Sequence, residues 1–153
     1  MQILTADDSH AAELSRMARE YFTEADPEHR LPFDAAAFEA ECQRLFHSKE
    51  PGWGVRVAVA DDELAAFVVY AFVEDGQALM IYELYVRPQA RRQGVGRALV
   101  EDVLAAAAAR GVEYAGTAVN GQNTRSFQFL QALGFEVNRY LMGRRGNLAA
   151  PTG

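Results

Sequence analysis

Two spacings of apolar residues alternate along this chain, and the points where one gives way to the other mark its elements. Gln2–Thr5 reads as a short strand, followed by Asp7 or Asp8 where a helix cap belongs. Leu14, Met17, Ala18, Tyr21 and Phe22 then recur at intervals of three and four, the stripe of an amphipathic helix. Two prolines between Glu24 and Pro32 read as a loop. A second helix is expected from about Asp34 to Ser48, with Phe38, Cys42, Leu45 and Phe46 inward. After Pro51-Gly52 the period becomes that of strands. Trp53–Ala60, Leu64–Val73 and Leu79–Val86 are separated by turns at Asp61-Asp62 and at Glu74–Gln77, where Asp75-Gly76 is a hairpin signal. These three strands are expected to form an antiparallel meander.

Helical spacing returns after Gly96 and runs to about Arg110, with Leu99, Val100, Val103, Leu104 and Ala107 on one side and Gly111 as the stop. Glu113–Val119 reads as a strand, so strand, helix and strand here make a parallel βαβ unit. A short helix from about Asn123 to Leu133 and a last strand from Phe135 to about Gly143 complete the pattern. The expected fold is α/β: a mixed central sheet, antiparallel first and parallel later, with helices on both faces. At 153 residues the chain suits one domain, taken as 1–146, with small and polar residues at 147–153 forming a flexible tail.

Composition narrows the function by exclusion. A formal charge of −6 argues against a general nucleic-acid binder and is compatible with a cationic partner. No segment approaches a membrane span and the N-terminus lacks a basic-then-apolar leader, so a cytoplasmic protein is expected. The single cysteine, Cys42, forms no intrachain disulfide and reads as a small buried apolar side chain. His10, His29 and His47 lack metal-ligand spacing, so no metal site is expected.

The chemistry concentrates where the third meander strand meets the next helix. Pro88 stops the strand, and Gly94 and Gly96 let the backbone turn sharply into the helix. Arg91, Arg92 and Arg97 surround that helix start. Positive side chains beside the positive end of a helix are unfavourable alone and favourable around a bound phosphate or pyrophosphate. Glu83 is the only charge between Leu79 and Val86, so it should face a cleft, a water or a cation. It reads as a general base, or as a carboxylate neutralised by a neighbouring arginine.

The run Arg91-Arg92-Gln93-Gly94-Val95-Gly96 follows the pattern Arg/Gln-x-x-Gly-x-Gly/Ala after a strand ending Val-x-Pro. Asn123, Phe129 and Gly134-Phe135 fall at matching offsets downstream. This combination resembles the GNAT superfamily of acetyl-CoA-dependent N-acetyltransferases, specifically over about Ile81 to Phe135. The resemblance implies central strands, Leu79–Val86 and Glu113–Val119, that splay apart around the pantetheine arm. It implies acetyl-CoA as co-substrate, with backbone amides from about Gln93 to Arg97, through Gly94, Val95 and Gly96, holding the pyrophosphate and Arg91, Arg92 and Arg97 adding charge. Tyr85 and Val86 would line the pantetheine, and Leu84 or Tyr85 would supply the oxyanion amide. Asn123 would contact the cofactor or cap its helix, and Phe127 and Leu130 share its face as core or cofactor-facing packing. Leu130 stands where relatives often carry an acid tyrosine, which leaves Tyr140 or Tyr85 as candidates for that proton.

The implied activity is transfer of acetyl to a primary amine, on a small molecule or a peptide, by direct attack in a ternary complex. The alternative is a non-catalytic acyl-CoA-binding regulatory module. Acceptor specificity is expected in the N-terminal helices and in the Glu24–Phe33 loop, which holds Asp26, Glu28 and His29. No nucleic-acid or membrane partner is expected, and a homodimer stays open.

Overall fold

The strands lie side by side in chain order, β1 (Gln2–Thr5), β2 (Trp53–Ala60), β3 (Glu63–Val73), β4 (Ala78–Val86) and β5 (Tyr114–Thr117). This is a computed structural model, and it describes residues 1–25, 34, 36, 37, 40, 44, 52–119, 123–139 and 149. The first three pairings are antiparallel and the last, β4 with β5, is parallel. The mixed sheet expected from the sequence is therefore present. Its hairpins turn where expected, with Asp61 and Asp62 both in the left-handed region at φ 53° and 62°.

Two helices sandwich the sheet. On one face α1 (Ala11–Ala25) buries Leu14, Met17 and Ala18 against Val57, Phe67 and Val69. On the other, α2 (Val95–Ala109) buries Leu99, Val100 and Val103 against Val68, Leu79 and Ile81. β3 is covered on both faces, which is why its sequence is a continuous apolar run and not an alternating one. α3 (Thr124–Ala132) follows β5, and Phe129, Leu133 and Phe135 extend the cluster under α2. Asp7 caps the turn before α1, its carboxylate accepting the Ser9 amide at 2.9 Å.

One expectation meets a different outcome, and others lie partly or wholly outside the described residues. Of the helix read over 34–48, residues 36, 37, 40 and 44 are helical, Asp34 accepts the Ala37 amide at 3.0 Å, and the remainder lies outside the described residues. Cys42, His29, His47 and the 26–33 loop lie outside them too. Residues 135–139 form no strand: Phe135 packs on the core but Val137 is 47% exposed, so no alternating face is buried, and the Asn138 side chain donates to the Tyr114 hydroxyl at 2.7 Å. Residues 140–148 are outside the described set.

Candidate active site

β4 and β5 part company halfway. Their ladder joins Ala78 to Tyr114 and ends at Ile81 with Thr117, while β4 continues through Tyr82–Val86. Along that continuation the β5-facing edge of β4 has no strand partner among the described residues. The parallel pair expected from the sequence is thus formed, with β5 ending at Thr117 and β4 running on, unpaired on that side among the described residues. Leu84, Tyr85 and Val86 lie on its open stretch.

A bulge sits at the branching point. Val69 pairs with Glu83, but its neighbour Tyr70 pairs with Ile81, leaving Tyr82 as an extra residue. The extra residue inverts the alternation of β4. Leu79 and Ile81 face the α2 side before it, whereas Leu84 and Val86 face that side after it, and Tyr85 joins the α1 cluster. Glu83 shares the parity of Tyr85, so its carboxylate is turned toward α1. Its charge is felt there by Tyr21, whose phenol is pushed up first by burial and then by Glu83.

Glu83 itself titrates above the ordinary carboxylate range because burial penalises its charged form. Its Oε2 is sealed from solvent and has no hydrogen-bond partner among the described residues. The neutralising arginine held open by the sequence is not found among them. The two nearest in sequence are committed elsewhere. Arg87 donates to Glu13, to Glu20 at 3.0 Å and to the Leu64 carbonyl at 3.0 Å. Arg91 donates to Glu24 at 2.6 Å and to the Val86 carbonyl at 2.8 Å, and lies over the Tyr85 ring.

This clasp between α1 and the end of β4 was readable in part, since Glu13, Glu20 and Glu24 recur at helical intervals of seven and four. The Tyr85 side chain belongs to it. Its hydroxyl meets Glu20 at 3.3 Å, and burial first, then Glu20 and Glu24, push its pKa up. Any part Tyr85 takes on the open strand edge therefore falls to its backbone.

The turn into α2 places Arg92 at φ 64° and Gly94 at φ 79°, with Gly94 as the N-cap. The amides of Val95, Gly96 and Arg97 are the first-turn groups a helix leaves without intrahelical acceptors, and no side chain caps them. The first turn also contains no acidic residue, so nothing built in competes for an anion there. Gly96 sits at a close approach: a Cβ would lie 3.2 Å from Val86 Cγ2, which would have to shift by a few tenths of an ångström, and 3.5 Å from Phe129. That contact draws the helix start against the open end of β4 and against α3.

The three arginines separate. Arg91 is held by Glu24, Arg97 pairs with Glu101 at 3.1 Å, and Arg92 is exposed with no ion pair among the described residues. Gln93 is exposed, its side chain donating to the Gln89 carbonyl at 2.9 Å. Asn123 caps α3, its side chain accepting the Ser126 amide at 3.1 Å, so the capping role considered from sequence is realised. Leu130 is buried whereas Phe127 is exposed, so the two divide between core and surface. Tyr140 lies outside the described residues.

The geometry brings together an open strand edge, a buried carboxylate one bulge away and an uncapped helix start. The chain matches the family model described as Acetyltransferase (GNAT) family over residues 12–135. It belongs to the GNAT acetyltransferase family. The expectation of an acetyl-CoA-dependent N-acetyltransferase drawn from the arginine–glycine turn therefore holds at the level of the family.

Solved structures share the GNAT fold at low identity. A tetramutant of the BH1408 protein from Bacillus halodurans is 20% identical, with 95% of this chain and 99% of that one covered at a TM-score of 0.81. Aminoglycoside N-acetyltransferase AAC(6')-Iy in complex with CoA is 18% identical, covering 95% and 94% at 0.77. An aminoglycoside acetyltransferase, meta-AAC0020, from an uncultured soil metagenomic sample and in complex with sisomicin, is 14% identical, covering 96% and 95% at 0.71. No curated protein sequence matches the chain. Among the described residues of this GNAT protein, no helix is long and apolar enough to cross a membrane, and no group of three or more His, Cys, Asp and Glu side chains is placed to hold a metal ion.

Proposed function

We propose that this GNAT protein moves the acetyl group of acetyl-CoA to a primary amine of a small molecule, the amine nitrogen attacking the thioester while both are bound. Glu83 carries the reading. A protonated amine has no lone pair to attack with, and a carboxylate whose burial raises its pKa is a better proton acceptor than an ordinary surface one. The ammonium's proton passes to Glu83, directly or through water; the free amine forms the C–N bond, the C–S bond breaks, and the second nitrogen proton goes to the departing thiolate or to water. The departing thiolate, with a pKa of roughly 8.5, needs no strong acid, which suits a chain with Leu130 at the tyrosine position.

Backbone amides on the open edge of β4, at Leu84 or Tyr85, are assigned to the developing oxyanion, a contribution of about 3 kcal/mol to the barrier. The uncapped amides of Val95, Gly96 and Arg97 are assigned to the pyrophosphate, with Arg92 as the cation beside them. A small-molecule acceptor is preferred to a peptide because two of the similar structures are, by name, aminoglycoside acetyltransferases. The reading carries a cytoplasmic location with it.

The test is thiol release from acetyl-CoA with a panel of amines, with mass spectrometry of the product. Formation of an acetylated amine, with kcat/KM falling on the acid side at a pH above the ordinary carboxylate range, supports the proposal. Tight CoA binding with no amine acetylated would instead favour the acyl-CoA-binding module.

A further inference from the structure

Two exposed aromatic rings, Trp53 and Tyr82, lie on the sheet face toward which Glu83 is turned, Tyr82 directly preceding it in sequence, and the clasp and core leave them unused. Trp53 and Tyr82 stack with centroids 4.8 Å apart and planes 18° from parallel. Both stay open to solvent, at 43% and 47% exposure. Trp53 has the parity of Val55 and Val57, which belong to the α1-side cluster, so the pair lies on the α1 face. Tyr82 is the bulged residue directly before Glu83. The bulge therefore presents two successive side chains, a ring and a carboxylate, on one face of β4.

More than two fifths of each residue's surface stays in solvent, so core packing accounts for only part of these two large rings. Stacked on each other, the two rings still present surface to solvent that a ligand can reach. The electron-rich face of a tryptophan or tyrosine attracts a cation. The chain carries a net charge of −6, which favours the same sign of ligand. The reacting nitrogen must lose its charge at Glu83, so a cation held on the rings has to be a different nitrogen.

Resting on the acetyltransferase reading above, we propose that Trp53 and Tyr82 form a subsite for a second ammonium group of the acceptor. The acceptor is then a small compound with at least two amino groups. One lies charged against the rings while the other faces Glu83. Trp53 and Tyr82 are specificity residues in this arrangement and take no part in the proton transfer.

Trp53 is the only tryptophan in the chain, so its emission reports on the subsite directly. Spermidine and neamine are titrated with and without CoA, and butylamine serves as the one-nitrogen control. Both, or either, of the polyamines should shift the emission saturably at concentrations where butylamine does not. A response to spermidine alone assigns a linear polyamine, and a response to neamine alone an amino sugar. Tyr82→Leu should weaken that binding about 3- to 30-fold, as expected of one ring face against a cation, and Tyr82→Phe should restore it. No saturable change with either polyamine, equal response to butylamine, or unaltered affinity in Tyr82→Leu overturns the proposal. Binding is read apart from turnover, so binding without acetyl transfer would count against the enzymatic reading and leave the subsite standing.

Discussion

Tyr82 and Glu83 are successive residues of one strand, yet both side chains project from the α1 face of β4. Regular alternation would have sent Glu83 to the side of Leu79 and Ile81, into the apolar layer under α2. A carboxylate there would face an almost wholly apolar layer of aliphatic and aromatic side chains. The bulge moves it to the α1 side, where it is buried enough to be basic and still close to the point at which β4 and β5 separate.

That burial has a cost visible in stability. The folded protein holds a proton on Glu83 more tightly than the unfolded chain does. Stability is therefore highest below the unfolded pKa and declines as pH rises toward the raised folded value. Glu83→Gln removes the penalty. We expect the variant to melt at a higher temperature than the parent at neutral pH, with the difference shrinking as pH falls through the carboxylate range. A lower melting temperature at neutral pH would mean that the buried carboxylate is satisfied in the native state.

The arginines near the helix start should differ in what their loss damages. Arg92 has no ion pair among the described residues, so Arg92→Ala is expected to weaken CoA binding about three- to tenfold, more at low salt, with little change in stability. Arg91→Ala should act in the opposite sense. It leaves the Val86 carbonyl without its donor and Glu24 with only its 3.5 Å ion pair to Arg125, and about 1–2 kcal/mol of stability should go with it. Calorimetric titration with CoA and urea denaturation of both variants separate the two effects.

Gly94 offers a purely conformational test. A Cβ there meets nothing within 4 Å, but φ is 79°. Gly94→Ala should therefore cost about 1–2 kcal/mol through backbone strain alone, read from the urea midpoint. A neutral result would show that the turn relaxes without the left-handed residue.

Much of this was legible in the sequence because each signal was local. The spacing of Leu14, Met17, Ala18 and Tyr21 and the pairs Asp61-Asp62 and Asp75-Gly76 announce their own elements, and so does the glycine turn before α2. The bulge at Tyr82 had no such signature. It follows from how β3 and β4 share a register, a property of two strands together. The commitment of Arg91 to Glu24 was hidden for a similar reason, since it joins residues 67 positions apart. Phe135 and Val137 show the reverse error, a local strand pattern whose exposed Val137 gains nothing from pairing.

The central claim is that Glu83 takes the amine's proton. The most direct measurement is kcat/KM for the best acceptor in Glu83→Gln, beside its affinity for CoA. The account predicts a loss of about 10²- to 10⁴-fold in turnover, with CoA binding unchanged and the acid limb of the pH profile gone. Turnover at the parent's level, with the same acid limb, would contradict it.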